Sequence, residues 1–262
     1  MRILITNDDG YTSPGITLLA KALRENGHRV FVVAPDKNRS GCSHSIEFLL
    51  EPVKFIETEK DTWSCSGTPA DCVISGLLGG IKELDITTED GELILEKAPD
   101  LVLSGINRGA NLGTDIIYSG TAAGARQGSF FGIPSIALSL IENEGLWHWE
   151  PAISFFIEKL SEFIGFWKEN TFVNVNFPNN GIKPSAIVPA LPSVRHYKDR
   201  IIPFTAPNGS MYCFVRSFKV KKGIQDVTSG LLRSDWSEVT KNNAAVSVIM
   251  SQPALAGGFP DG

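Results

Sequence analysis

Short apolar runs alternate with helix-opening signals along residues 1–177, and this alternation restricts the chain to a sheet layered with helices. Residues 3–6 form a buried first strand; Ser13-Pro14 then offers a cap followed by proline at the first helical position. Ile16, Leu19, Ala20 and Leu23 recur at helical spacing before a stop at Gly27. Residues 29–34 give a second strand, 46–58 read as extended paired strands, and Thr68-Pro69 opens a helix reaching about Leu78. Residues 79–98 read as a polar surface excursion with a hairpin. Strands at 100–104, 135–140 and 171–176 alternate with a small-residue helix from Ser119 to near Gly132 and an amphipathic helix over 151–168. The expected fold class is α/β, a mostly parallel Rossmann-like sheet with helices on both faces. From about Pro178 the pattern turns to extended segments at 186–188, 201–204, 212–220 and 244–249. Residues 1–177 are therefore expected to form the core carrying the site. Residues 178–262 are expected to form a β-rich C-terminal extension, packed on the core or used in oligomer contacts.

Chemistry is expected where such a sheet collects ligands, outside the carboxyl ends of its strands. Three connections at those ends hold oxygen donors among glycines: Asn7-Asp8-Asp9-Gly10, residues 35–44, and residues 105–121. Adjacent aspartates on a continued strand point to opposite faces, but Gly10 lets the chain leave the strand so that both reach one ion. Two carboxylates about 4 Å apart repel by roughly 4 kcal/mol at an effective dielectric of 20. A divalent cation removes that repulsion, and hard oxygen ligands suit Mg²⁺ or Mn²⁺. A solvated acidic turn or a helix-capping carboxylate is the competing reading. Ser40 and Gly41 add a hydroxyl and backbone N–H groups. Ser104, Gly105 and Asn107 add an amide oxygen and a backbone able to approach a phosphate closely. Ser119-Gly120-Thr121, at a helix start, reads equally as an anion site or a plain N-cap.

The formal net charge of −5 disfavours a binder of nucleic-acid polymers, which needs a basic face. A small anionic substrate is compatible with it, since a bound cation supplies local positive charge. The four cysteines form no C-x-x-C pair and read as reduced thiols. No apolar run approaches the ~20 residues that span a bilayer, so no membrane partner and a cytoplasmic location are expected.

These residues resemble a known family. Residues 1–15 (MRILITNDDGYTSPG) look like the opening of the survival-protein-E (SurE) nucleotidases. Residues 34–41 (APDKNRSG), 66–72 (SGTPADC), 104–113 (SGINRGANLG), 118–121 (YSGT) and 132–137 (GIPSIA) match later blocks in order, and Asn174 and Asn176 extend the match. The resemblance implies a metal-dependent phosphohydrolase acting on nucleoside 5′-monophosphates, with 3′-nucleotides and short polyphosphate as further substrates. It implies one divalent metal ion per subunit on Asp8, Asp9, Ser40 and Asn107. Asp8, Asp9 and Asn107 are the expected catalytic residues, and Asn7, Gly41, Ser104, Gly105, Ser119, Gly120 and Thr121 the expected substrate contacts. A homodimer or homotetramer is expected. Residues 81–98 exceed the connection expected for the family, and Ala244-Ala245 stand where glycine and tyrosine are usual.

Attack by a metal-bound water is the expected chemistry, with a phospho-aspartyl intermediate at Asp8 as the competing scheme. Two other classes share the layout. A phosphorylation-switch module of the receiver type also places paired acids on Mg²⁺, but needs an acceptor aspartate where this chain has Ser104-Gly105-Ile106-Asn107. A nucleotide-sugar glycosyltransferase needs a second strand-helix half that the C-terminal region does not show. His44, close to Ser40, is a weaker substrate contact. Arg195, His196, Tyr197, Lys198 and Arg200 form a basic aromatic patch that reads first as a solvated strand.

Overall fold

The computed structural model describes residues 1–88, 90–195, 198–218, 224–225 and 233–253. Strand β1 (Arg2–Thr6) leads through helix α1 (Pro14–Glu25) to its parallel neighbour β2 (Arg29–Pro35). Strands β3 (Phe55–Glu59) and β4 (Thr62–Cys65) form an antiparallel pair whose second strand runs parallel to β2. Helix α2 (Pro69–Ser75) then returns the chain to β5 (Leu101–Arg108), on the other side of β1. Short α3 (Asp115–Tyr118) and α4 (Gly120–Phe130) precede β6 (Ser135–Leu140); α5 (Trp149–Glu158) and α6 (Leu160–Ile164) precede β7 (Thr171–Phe177). Strands β8 (Ile187–Pro189), β9 (Val194–Arg195), β10 (Lys198–Thr205), β11 (Met211–Phe218) and β12 (Ile224–Gln225) follow, then α7 (Asp235–Thr240) and β13 (Ala244–Met250).

Among the described residues nine strands form one sheet in the order β3-β4-β2-β1-β5-β6-β7-β13-β8, parallel from β4 to β7. Side chains alternate across it. Ile3 and Ile5 join a cluster with Ile16, Leu19 and Leu23 of α1 and Phe156 and Phe163 beyond them. Leu4 points the other way, to Cys72, Val73 and Leu77. Burial on both faces is why Ile3, Leu4 and Ile5 follow one another without a polar alternate position. Helix α1 packs on α5 and α2 on α4, one pair per face. Truncating a fully buried residue such as Leu19 to alanine costs about 2–5 kcal/mol.

The structure differs from the expected elements at several points. Residues 46–54 form turns instead of strands, with Leu50 N–H bonded to the Glu47 carbonyl, and pairing begins only at Phe55. The helix expected over 151–168 breaks at Lys159 (φ −112°, ψ 15°), which brings Phe163 against Phe156 and Phe177, 5.2 and 6.0 Å between ring centroids. The excursion after residue 80 is anchored: Ile81, Leu84 and Ile86 are buried with Leu77, and its hairpin reduces to one antiparallel bridge between Thr87 and Leu93. Beyond residue 177, β13 runs antiparallel to β7 and β8 lies parallel to β13, so both continue the main sheet. Strands β10 and β11 instead form a separate two-stranded ribbon. Residues 219 and 220 of the expected 212–220 strand lie outside the described residues.

Candidate active site

The chain passes from β1 to β2 on one side and from β4 to β5 on the other, so strand order reverses between β1 and β5. A crevice opens at such a point, and the Asn7–Gly10 and Asn107–Asn111 turns flank it. Here a cavity of about 580 Å³ is lined by Asp8, Ser40, Gly41, Asn107, Arg108, Gly109, Ala110, Asn111, Asp115, Tyr118, Ser119 and Asp199. That volume suits a small-molecule ligand.

Backbone and side-chain bonds aim the donors. Asn7 closes the first turn: its Nδ2 donates to the Gly10 carbonyl (2.9 Å) and to Ser13 Oγ (2.8 Å), and its Oδ1 accepts from Gly10 N–H. Ser13, which begins α1 as expected, thus holds the acidic turn instead of capping a helical N–H. The Asp8 carbonyl accepts from Arg39 N–H at 2.7 Å, which seats the Ser40 loop beside Asp8. Strand β5 loses register with β6 between Ser104 and Asn107. Gly105, at φ +131°, leaves its Cα so close to the Leu138 carbonyl that a Cβ would meet it at 2.2 Å. This irregularity carries Asn107 to the cavity, where its Nδ2 donates to the Gly109 carbonyl at 3.0 Å.

Asp8 is 3% exposed. Burial, and then the neighbouring charge of Asp9, push its carboxyl up to about 6, against opposing hydrogen bonds from the hydroxyl and backbone of Thr121. The Thr121 hydroxyl donates to Asp8 Oδ1 at 2.6 Å. Burial also raises Asp9, whose Oδ2 accepts from Arg108 N–H at 2.9 Å and so ties the β1 and β5 turns together. Burial and the Asp8 charge push the Cys42 thiol up to about 11, leaving it neutral and unsuited to nucleophilic work. All four cysteines are free.

Of the residues singled out by sequence, Asp8, Ser40, Gly41, Asn107 and Ser119 meet on this cavity. Asp9 instead lines a smaller adjoining cleft with Ser13, Asn38, Arg108 and Trp149. Gly120 and Thr121 serve Asp8: a Cβ on Gly120 would stand 2.8 Å from that of Asp8. Ser104 is fully buried under Gly124 of α4, and Ser104 and Gly105 lie beneath the lining. His44 packs on Phe130 and bonds Gln127, away from the cavity. Residues 66–72 cap α2, with Thr68 and Asp71 exchanging bonds. In the basic aromatic patch, His196 and Tyr197 lie outside the described residues.

Sequence reading assigned no role to Arg108, Asn111, Asp115, Tyr118 or Asp199, all of which line the cavity. The first four sit in or just after the 104–113 turn, so their place at a strand end was the available signal. Asp199 arrives on β10 with no local signal. Asn174 and Asn176 also gain a reason: both donate to the Asn111 carbonyl (2.9 and 3.0 Å), and Asn176 Oδ1 accepts from Asn111 N–H at 2.9 Å. Two buried asparagines of β7 thus pin the glycine-rich turn to the sheet.

The donor set fits a hard cation. Oxygen ligands of three kinds converge, and Arg108 is the one basic side chain among the described lining residues, against Asp8, Asp115 and Asp199. No cluster of three or more histidine, cysteine or acidic residues suited to a metal occurs among the described residues, so any cation here rests on a mixed carboxylate, hydroxyl and amide set. No helix among the described residues is long and apolar enough to cross a membrane.

The chain's sequence and fold match those of known proteins. The family model described as survival protein SurE matches residues 3–198. A protein of Aquifex aeolicus (strain VF5) named 5′-nucleotidase SurE is 41% identical over 222 residues, 81% of this chain and 79% of the relative. One of the same name from Xanthomonas campestris pv. campestris (strain B100) is 41% identical over 181 residues, 68% of this chain and just under two thirds (64%) of the relative. The crystal structure of SurE protein from Aquifex aeolicus superposes with a TM-score of 0.76 and 34% identity, covering 97% of this chain and 95% of that one. The chain belongs to the survival protein SurE family.

Proposed function

We propose that this chain is a divalent-cation-dependent 5′-nucleotidase, hydrolysing nucleoside 5′-monophosphates to nucleoside and phosphate. The supporting observation is that Asp8, Ser40 and Asn107, from three separate connections, line one cavity at the sheet's switch point in a chain of this family. Asp8, Asp9, Ser40 and Asn107 would hold one Mg²⁺ or Mn²⁺ ion, Asp9 reaching it from the adjoining cleft beside Asp8. Bound there, such an ion supplies charge to phosphoryl oxygens and acidifies a water. The rest falls to the chain. Asp8, on the cavity wall and ionised with a cation beside it, is placed to accept a hydrogen bond from the attacking water. Asn107 Nδ2 and the Ser119 hydroxyl offer donors to phosphate oxygens, and Arg108 offers a charge. 3′-Nucleotides and short polyphosphate present the same terminal phosphoryl group and belong in the same substrate set.

The ribbon of β10 and β11 supports self-assembly into a homodimer or homotetramer. Met211, Phe214 and Val215 are 71%, 65% and 62% exposed there, and a two-stranded ribbon is marginal alone.

Incubating the purified protein with AMP, with and without Mn²⁺ or Mg²⁺, tests the assignment. Phosphate release that requires the cation is expected. Asp9→Asn should lower turnover by at least about 100-fold, since even outer partners of a metal ligand cost 10–100-fold, while circular dichroism stays unchanged. Absence of phosphate release with every cation would overturn the reading, and a fully active Asp9→Asn enzyme would remove Asp9 from the ligand set.

A further inference from the structure

A carboxylate far from the chemistry holds two walls of the cavity in register. Asp235, the first residue of α7, is fully buried. Its Oδ2 accepts from Gly113 N–H at 2.7 Å, and its Oδ1 from Ser193 N–H at 2.9 Å and Trp236 N–H at 2.8 Å. The main chain supports the same junction: Leu191 N–H bonds the Arg233 carbonyl, and Asp235 N–H bonds the Leu191 carbonyl. Gly113 follows directly from the turn that presents Asn111 to the cavity, and Ser193 leads through β9 to β10, which presents Asp199. The two segments touch. Gly113 adopts φ +54°, and a Cβ there would lie 1.8 Å from the Ser193 carbonyl oxygen.

We infer that Asp235 is a positioning residue for substrate binding, setting the spacing between the Asn111 turn and the Asp199 strand on the nucleoside side of the cavity. The inference rests on the nucleotidase reading above. An ionised carboxylate accepts at both oxygens, whereas an amide presents an N–H₂ where one of these backbone donors points. Asp235→Asn therefore repels either Gly113 or Ser193 without changing the volume of the side chain. Asp8, Ser40 and Asn107 are carried by the β1, β2 and β5 ends, Asp8 bonded to Arg39 N–H and Asn107 held locally by the Gly109 carbonyl. In that reading the phosphoryl group sits at Asp8, Ser40 and Asn107, and the Asn111 and Asp199 walls meet the rest of the substrate, so binding is lost about equally in ground and transition states. Such a change raises KM and spares kcat.

Steady-state kinetics with AMP and the activating cation test this on wild type, Asp235→Asn and Gly113→Ala. The second variant separates the same segments from the turn side, by crowding Ser193, and leaves the carboxylate in place. KM is expected to rise roughly ten- to a hundredfold in each, the scale of an ångström-sized misplacement, with kcat within about threefold of wild type. A purely structural role acts differently: it lowers the fraction of active protein, hence the apparent kcat, at unchanged KM. Unchanged KM in the soluble variants, with or without loss of kcat, overturns the inference. If Asp235→Asn does not accumulate as folded protein, Gly113→Ala decides alone. A wild type that releases no phosphate with any cation refutes the nucleotidase reading itself, an outcome distinct from active variants with wild-type KM.

Discussion

Thr121 and Asp8, 113 positions apart in sequence, share a hydrogen bond of 2.6 Å inside the protein, hydroxyl to carboxylate. Gly120 makes the approach feasible, because any side chain there would collide with Asp8 and with Cys42 Sγ at 2.9 Å. The start of α4 is therefore built around an internal anion, with the helix dipole and the Thr121 N–H adding to the hydroxyl.

Removing that hydroxyl should weaken the ionised form of Asp8. Thr121→Val keeps the shape and deletes one charge-assisted bond, of the kind that contributes about 1.5–3 kcal/mol. The Asp8 carboxyl then rises further above about 6. Because the cation must displace the Asp8 proton, activity at subsaturating cation is expected to fall more at pH 6 than at pH 8, and the acid limb of the pH–rate profile there should move to higher pH. A profile that drops uniformly, with its acid limb in place, would contradict this role for Thr121.

Asp8 also predicts how the cation-free protein responds to pH. Its folded-state carboxyl lies near 6 against an ordinary 3.8, so between those values the folded chain holds the extra proton. The associated stability is complete below pH 3.8 and is lost as pH rises through 6. At about 1.4 kcal/mol per pH unit the loss is on the order of 3 kcal/mol. Asp8→Asn cannot ionise and should abolish this part of the slope, leaving the variant more stable than wild type at pH 7 in chelator. Urea midpoints at pH 4, 5, 6 and 7 measure it; parallel curves for the two proteins would rule it out.

Much of this was legible because the decisive residues carry local signatures. Residues 3–6 and 135–140 lie inside parallel strands buried on both faces, and continuous apolar runs announce that. Asp8 and Ser40 follow strands and Asn107 closes one, where an open parallel sheet gathers ligands. What stayed hidden depends on distance in sequence. No local spacing gives Asp199 or Asp235 a role, since each acquires its meaning from segments 42 or more positions away. Phe48, Leu49 and Leu50 mislead in the opposite sense: they read as strand but lie exposed in a turn region, where Asp71 captures Glu47 N–H. The 151–168 periodicity is continuous, and only the packing of Phe163 marks the interruption at Lys159.

Asn176 offers a test of how the glycine-rich turn is held. It both accepts from and donates to the Asn111 backbone, at 2.9 and 3.0 Å, in a fully buried setting. Asn176→Leu leaves the Asn111 N–H without that acceptor, a penalty of about 1–3 kcal/mol. For a domain of this size each kcal/mol corresponds to roughly 2–4 °C in Tm. A Tm lower by several degrees is expected, with activity reduced because Asn111 lines the cavity. An unchanged Tm would mean that the turn holds its place without the asparagine.

The exposed ribbon gives the last prediction, concerning assembly. Cross-strand register places Ile202 opposite Phe214 and Phe204 opposite Tyr212, so these four share one face, while Ile201 and Val215 share the other. Phe204 stacks on both Tyr212 and Phe214, at 5.5 and 5.4 Å between centroids, which makes a continuous apolar strip on a ribbon that rests on no third strand among the described residues. A second copy is the proposed cover. Burying one phenylalanine contributes about 1.5–3 kcal/mol, and a symmetric dimer counts the residue twice. Phe214→Asp is therefore expected to weaken self-association by roughly two to four orders of magnitude. Sedimentation velocity across a concentration series reads the change directly: wild type should sediment as a dimer or larger, and the variant should shift to monomer at micromolar concentration. Because Phe214 is not on the lining of the Asp8 cavity, phosphate release per monomer separates the two roles of the ribbon. A monomeric variant with full activity assigns the strip to assembly alone, whereas a wild type that is already monomeric removes the second copy as its cover.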